Sequence, residues 1–395
     1  MIGQRGVPAT FGGIERHVEE IGSRLAARGH EVTVYCRTNY GVDHYCRYRG
    51  MRLAYLPTVG TKHADAIVHS VLSSVAAMAH RPDIIHYQAI GPGLVAPLPR
   101  ALSSAKILLT VHGLDGLREK WGPGARKALA LAEWMSGRVP DATIVVSRAL
   151  ARHYRARYGT DATFIPNGVD AREPSPAREI VSRYRLRPGS YLLFVGRLVP
   201  EKAPHLLVRA FRQVRGDIRL VIAGGSSFTD RYVESLTKEA ARDHRVIMTG
   251  YVFGTLLDEL YSNAAAFVLP SALEGLPLTL LEAASFGVPI VASDIEPHVE
   301  IIGDVRPGCR MFRSGDQGDL ARVMSDVIDA LPVERVGGAR MRRTVLERYS
   351  WESSVDAIEQ LYLAVVAGRT SARDRAYAGP PPRSAEWSAP PLHRA

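Results

Sequence analysis

The residues best suited to chemistry lie in the second half of the chain. Leu193-Phe194-Val195-Gly196-Arg197 reads as a strand running into a glycine turn that carries a cation, and Lys202 follows five positions on, just ahead of a helix opened by Pro204. A strand end, a glycine, two cations and a helix N-terminus make an anion site. Backbone N–H groups and the helix dipole favour phosphate there, and Arg197 and Lys202 add charge-assisted hydrogen bonds. Solvated charge at a strand–helix corner would carry the same residues. A second group runs from Ser271 to Glu282, with Glu274 and Gly275 in a loop, Pro277 suited to a first helical turn and Glu282 more than a turn inside. The amides of Leu278 and Thr279 at such a helix start have no intrahelical acceptor. One helix mouth therefore offers two carboxylates for hydroxyl groups and unpaired N–H groups for a phosphate. In the plainer alternative, Glu274 complements the helix dipole and Glu282 is a surface residue.

In the first half, His112 directly follows the strand Lys106–Val111, and His86 follows Ile84-Ile85. Both are expected at the carboxyl ends of parallel strands, where open α/β sheets place ligands. His86 fits equally a hydrogen-bonded structural role. Ser147 reads as the cap of a helix over Arg148–Arg157, and Asn167-Gly168 as a turn. There is no Asp-x-Asp and no His-Glu-x-x-His; the nearest approach to a metal motif is Asp294-Ile295-Glu296. No metal is expected.

These residues need elements to hold them, and the chain alternates short β-rich runs with amphipathic helices, the pattern of parallel α/β layers. A helix over Ile14–Arg28 leads into a strand at Glu31–Cys36, and further strands are expected at Ile84–Tyr87, Lys106–Val111, Thr143–Val146 and Thr163–Ile165. The pattern restarts with strands at Tyr191–Val195, Arg219–Ala223, Val246–Thr249, Ala266–Leu269 and Pro289–Ala292, separated by helical segments. Two series imply two doubly wound domains, with the break in the polar, proline-bearing stretch from Asp170 to Gly189. Residues 369–395, rich in Pro, Arg and Ser, read as a disordered tail. A doubly wound domain needs its first strand near the sheet centre, yet only Met1 and Ile2 precede Gly3. The strand is therefore expected to be a stub, or the start to be misassigned.

At 395 residues, 46% hydrophobic and 23% charged, the composition is that of a globular protein of two domains at roughly 100–200 residues each. Three cysteines, Cys36, Cys46 and Cys309, with no Cys-x-x-Cys, point to a reducing, cytoplasmic setting. No apolar run reaches the roughly 18–20 residues of a membrane span. The net charge of +10, almost all arginine, suggests an anionic partner. No nucleic-acid module is present. Contact with an anionic inner membrane face stays open. The one helix suited to it, over Asp65–His80, has a composition that favours packing in a core.

Taken together, Glu274 and Glu282 with the Gly196–Lys202 segment resemble the retaining glycosyltransferases of GT-B fold, family 4. Gly12-Gly13-Ile14-Glu15 is similar to that family's N-terminal donor loop, Pro166–Asp170 to its interdomain turn, and Ser350-Trp351-Glu352 to the start of its last helix. The opening Arg5-Gly6-Val7-Pro8 with Phe11-Gly12-Gly13 looks most like members acting in surface polysaccharide assembly. Ala203 departs from the glycine usual after the lysine, and tighter packing rather than lost binding is expected of it.

The resemblance implies two Rossmann-like domains facing across a cleft: an acceptor-side domain over 1–170, completed by a C-terminal helix over 351–368, and a nucleotide-sugar domain over 171–350. It also implies a reaction, transfer of a hexosyl group from a nucleoside diphosphate sugar to an acceptor hydroxyl with its configuration retained. Arg197 and Lys202 would neutralise the diphosphate, Glu274 and His112 would flank the sugar, and Glu282 would hold the ribose. Gly12, Gly13, Gly196, Gly275, Leu278 and Thr279 would bring backbone to the donor. The donor is then a co-substrate and no cofactor is needed; a lipid-linked and a saccharide acceptor both fit. A dehydrogenase is disfavoured because Gly3, Gly6, Gly12 and Gly13 do not make Gly-x-Gly-x-x-Gly. An epimerase-like isomerase of the same architecture and a non-catalytic sugar-nucleotide binder are the alternatives.

Overall fold

The computed structural model of the chain describes residues 1–368 other than 11, 42, 60–63, 115, 117–122, 227–228 and 304–306. The tail expected over 369–395 lies outside the described residues. The first half contributes strands β1 (Thr33–Arg37), β2 (Arg47–Tyr48), β3 (Met51–Leu56), β4 (Ile84–Gln88), β5 (Lys106–Val111), β6 (Ala142–Val145) and β7 (Thr163–Phe164). They form the rows β2-β3-β1 and β4-β5-β6-β7. The stub joins the two rows: Ile2 makes a parallel bridge to Tyr87, and Tyr35 N donates to Met1 O at 3.1 Å. Met1 and Ile2 thus hold the central position between β1 and β4.

The second half contributes β8 (Tyr191–Val195), β9 (Arg219–Ala223), β10 (Val246–Gly250), β11 (Ala266–Leu269), β12 (Ile290–Ser293) and β13 (Cys309–Phe312). All are parallel, in the order β10-β9-β8-β11-β12-β13. Strands such as Tyr191-Leu192-Leu193-Phe194 and Ala266-Phe267-Val268-Leu269 are buried at every position, as near-continuous apolar runs covered by helices on both faces must be. The strand order reverses between β8 and β11. There the connections leave in opposite directions and a crevice opens at the carboxyl ends.

The chain crosses between the halves twice. It leaves the first through Pro166–Asp170 and returns at Tyr349–Trp351 into the helix Trp351–Val366. That helix buries Trp351, Val355, Ile358, Leu361 and Val365 against Ile21 and Leu25 and against Leu108 and Ile144 of the first sheet. The crossings touch, since Val169 N donates to Tyr349 O at 2.7 Å and a Cβ at Gly168 would lie 2.2 Å from Trp351 N.

Several expectations are corrected. The stretch from Asp170 to Gly189 is not plain linker: it carries the helix Glu179–Tyr184, whose Arg178 and Ile180 amides donate to the Glu259 carboxylate at 2.9 and 3.1 Å. The β2–β3 hairpin and β13 had no expected counterpart; they are short, arginine-bearing and half polar. His86 is not at a strand end, because β4 runs on to Gln88. Its ring nitrogens pair with Tyr362 OH at 2.6 Å and Thr110 Oγ1 at 2.7 Å. The sharpest reversal is the helix Ala64–Ala79, expected to be core-packed. Its polar residues Asp65, His69, Ser70, Ser73 and Ser74 are the buried ones, while Ile67 (44%), Val71 (39%), Leu72 (38%) and Val75 (52%) are exposed.

Candidate donor cleft between the two sheets

The glycine turn after β8 brings Arg197 and the one-turn 3-10 segment Pro200–Lys202 to the crevice. Gly196 makes this possible, for a Cβ there would lie 3.2 Å from Lys202 Cδ. From the loop after β11, Glu274 meets Lys202: Nζ and Oε1 are 2.6 Å apart, and both side chains are nearly buried, at 13% and 12%. Ser271 Oγ donates to the same oxygen at 2.7 Å. Burial alone would push the Glu274 carboxyl up, but the Lys202 charge and hydrogen bond outweigh it and hold the group below its ordinary value. Glu274 is therefore ionised, and Lys202 keeps two further N–H donors for an incoming ligand.

The cleft is closed from the first domain by His112, Gly113 and Leu114, which line it together with Arg197, Lys202, Glu274 and Gly275. Gly275 allows the approach, since a Cβ there would sit 1.9 Å from the His112 carbonyl oxygen. His112 follows β5, and Gln88 Oε1 lies 3.0 Å from its Nε2. Burial, helped by the neighbouring His17 and His86, lowers its pKa well below the ordinary value. The ring is neutral at physiological pH.

A second set of predicted residues gathers at the start of the helix Leu278–Ser285. The amides of Leu278 and Thr279 have no acceptor among the described residues, and the buried Thr279 hydroxyl has no partner there either. Glu282 stands a turn inside. Burial raises its pKa against the charge of Arg16 and a 3.1 Å hydrogen bond from Tyr261 OH. Gly13 opens the helix Gly13–Ala27 directly opposite, where a Cβ would lie 3.6 Å from Leu278 Cδ1. Gly12 has φ of 111°, a backbone that favours glycine, and the space above it is taken by the Glu15 carboxylate. Of the residues singled out in sequence, Arg197, Lys202, Glu274, Gly275 and His112 share one cleft. Leu278, Thr279, Glu282 and Gly13 share the adjoining helix mouth. Gly12 lies against Glu15 instead.

Sequence reasoning missed several neighbours. Asn167, read only as a turn residue, is buried and bonds His17 Nδ1 at 2.9 Å and Leu276 O at 3.2 Å. Ser271 and Tyr261, which brace the two glutamates, were signalled only by lying at the ends of their elements. Ser147 caps its helix, accepting from Leu150 N at 3.3 Å. Among the described residues no three of His, Cys, Asp and Glu come together to hold a metal ion.

The order β10-β9-β8-β11-β12-β13, a second parallel sheet facing it and a cationic crevice between them define a GT-B glycosyltransferase. The chain belongs to the group 1 glycosyltransferases: residues 184–335 match "Glycosyl transferases group 1" and residues 11–173 match "Glycosyltransferase Family 4". Its activity is glycosyl transfer from a nucleotide-sugar donor. It is 29% identical over 411 residues to the glycogen synthase of Mycobacterium tuberculosis, covering 93% of this chain and 95% of that one. It is 26% identical over 391 residues to the GDP-mannose-dependent alpha-(1-6)-phosphatidylinositol monomannoside mannosyltransferase of Mycolicibacterium smegmatis, covering 93% and 97%. In fold it is similar to the sucrose-phosphate synthase of Thermosynechococcus elongatus, with a TM-score of 0.77 at 22% identity over 91% of this chain and 96% of that one. HepE of Anabaena, solved in complex with UDP and glucose, gives 0.74 at 17% identity over 89% and 96%.

Proposed function

We propose that this protein is a retaining hexosyltransferase, moving a hexosyl group from a nucleoside diphosphate sugar to an acceptor hydroxyl in cell-surface polysaccharide or glycolipid synthesis, without a metal. The observation that carries the reading is the Lys202–Glu274 pair, held beside Arg197 at the strand-order reversal with His112 facing it from the other domain. As the glycosidic bond breaks, negative charge grows on the leaving diphosphate. Lys202, Arg197 and the amides of Leu278 and Thr279 are fixed where they can receive it, so no reorganisation is needed at that moment. Glu274 holds the Lys202 ammonium in place and offers its carboxylate to a sugar hydroxyl. Glu282 accepts from the ribose hydroxyls, and His112 flanks the sugar. A donor panel of UDP- and GDP-hexoses, scored by thermal shift and then by product mass and anomeric NMR with lipid-linked and saccharide acceptors, tests this directly. Chelator should leave turnover unchanged. Lys202→Ala should lower kcat by about 10²–10³, the usual loss for one such donor. Strict metal dependence or an inverted product would overturn the reading.

The acceptor is proposed to be met at an anionic lipid surface. The helix Ala64–Ala79 presents Ile67, Val71, Leu72 and Val75 outward, and no helix of the described residues is long and apolar enough to cross a membrane. From His44 to Pro82 the cations are Arg47, Arg49, Arg52, Lys62 and Arg81. The one carboxylate after Asp65 is absent, and Asp65 itself is buried against Arg37. An apolar stripe with basic flanks suits an interfacial helix. The full chain should sediment with vesicles containing phosphatidylglycerol and not with pure phosphatidylcholine, and Val71→Glu with Val75→Glu should abolish it. Self-association through this face, seen as a concentration-dependent dimer that the same changes disperse, would point instead to a second copy of the chain.

A further inference from the structure

We infer that His17 is a positioning residue which, through Asn167, ties the donor loop of the second domain to His112 of the first. Its role in turnover rests on the reading of this cleft as the donor site; the linkage itself does not.

The chemistry of each atom fixes the direction of the link. The Leu276 carbonyl can only accept, so the Asn167 amide nitrogen, 3.2 Å away, must donate to it. That turns Asn167 Oδ1 toward His17 Nδ1 at 2.9 Å. An amide oxygen also can only accept, so Nδ1 of His17 carries the proton. Burial drives the ring pKa down to about 4, which leaves His17 neutral at physiological pH. Its Nε2 then keeps a bare lone pair, buried and without a partner among the described residues. Replacing this ring by an apolar side chain would remove an unsatisfied polar atom from the interior, so stability alone does not account for a histidine here.

Geometry does account for it. The His17 ring stands edge-on to His112, with centroids 4.6 Å apart and planes at 77°. On its other side it approaches Trp351, at 6.0 Å and 64°. The circuit closes through Gly275, one residue before Leu276, which rests on the His112 backbone. Four segments meet at this point: the helix Gly13–Ala27, the interdomain turn at Asn167, the donor loop and the end of β5. A displacement of any one reaches the His112 ring through a contact or a hydrogen bond. A misplacement of about 1 Å at a reacting centre can cost roughly a hundredfold in rate, and this network removes that freedom.

The test uses the full chain and two substitutions that separate the ring nitrogens. Asparagine at position 17 places an N–H donor near the Nδ1 position and preserves the link; glutamine places it near Nε2 and breaks it. Hydrogen–deuterium exchange without ligand should show amides of 164–169 and of 271–278 exchanging about tenfold faster in His17→Gln and in Asn167→Ala, and near wild type in His17→Asn. Ring nitrogen shifts in histidine-labelled protein should report the Nδ1–H tautomer at His17, and Asn167→Ala should change them. With a donor found by the panel above, His17→Gln should lower kcat at least tenfold with donor KM within twofold, and His17→Asn should recover most of it. Equal behaviour of the two His17 variants, faster exchange in only one of the two segments, or an Nε2–H tautomer would overturn the inference. Failure of UDP and GDP to bind the wild-type protein by calorimetry would instead count against the donor site, with the exchange and tautomer measurements still deciding the linkage.

Discussion

The two glutamates of the cleft illustrate how one residue type is set to different tasks by its surroundings. Glu274 is buried but paired, and its carboxyl is held down. Glu282 is buried with only a tyrosine hydroxyl in hydrogen-bond contact, and its carboxyl is pushed up. A raised native pKa means that the folded state holds its proton where the unfolded chain has lost it. Between the ordinary glutamate value of 4.5 and the raised native one, stability therefore falls as pH rises, and it stays at the lower level above that window. Glu282→Gln should flatten this part of the pH–stability curve and raise the melting temperature at neutral pH by a few degrees, at roughly 2–4 °C per kcal/mol. The same change should weaken donor binding by about 10–100-fold, the loss of a charged hydrogen bond. Calorimetric melts across pH and donor titrations would read both. Ala203 makes the opposite point about what sequence conveys. It was read as a packing substitution, yet its φ of 48° and ψ of 39° lie in the left-handed region that disfavours a side chain. Ala203→Gly should therefore stabilise the protein by about 1 kcal/mol in denaturant titrations, provided the native backbone strain exceeds the added freedom of glycine in the unfolded chain.

At the scale of elements, the strands and the loops that leave them were the most legible part of the molecule. Lys106–Val111, Tyr191–Val195, Arg219–Ala223 and Ala266–Leu269 begin and end where the apolar runs do, because a parallel strand buried on both faces leaves few polar positions to blur its edges. The β2–β3 hairpin was illegible for the converse reason: Arg47, Tyr48 and Arg52 carry no burial signal. The helix Ala64–Ala79 misled because a mostly apolar helix does not reveal which side faces the core. Asn167 misled because a turn residue and a buried bridging amide have the same sequence. Pairs of loops that meet across the cleft were equally hidden, and they bear directly on activity. A methyl group at position 275 would lie 1.9 Å from the His112 carbonyl oxygen. Gly275→Ala should therefore push the donor loop off the end of β5 and cut kcat/KM by about a hundredfold, while the melting temperature moves little, since neither sheet is touched. A large loss of melting temperature would show that this contact supports folding as well.

For the molecule as a whole, the relation between the two domains is held by more than the cleft. The Glu300 carboxylate of the second domain accepts from Arg148 N at 3.1 and 2.9 Å, at the start of a helix of the first. Burial keeps its pKa raised despite those amides, so this contact weakens as the medium becomes acidic. Beside it, Arg152 and Glu296 pair at 3.2 Å but are 63% and 68% exposed, a geometry that contributes little. Glu300→Ala should therefore enlarge the radius of gyration in small-angle scattering, whereas Glu296→Ala should leave it unchanged; equal effects would show that charge rather than the helix contact holds the domains. The final helix adds a constraint of another kind. Because the outgoing and returning strands of the chain run side by side and are bonded to each other through Val169 and Tyr349, the lobes are joined as a door is by two pins set close together. Such a joint swings about one axis and resists swivelling or sliding. Every opening and closing of the enzyme should then retrace a single arc, returning the histidine side of the cleft to the lysine side in the same register each time.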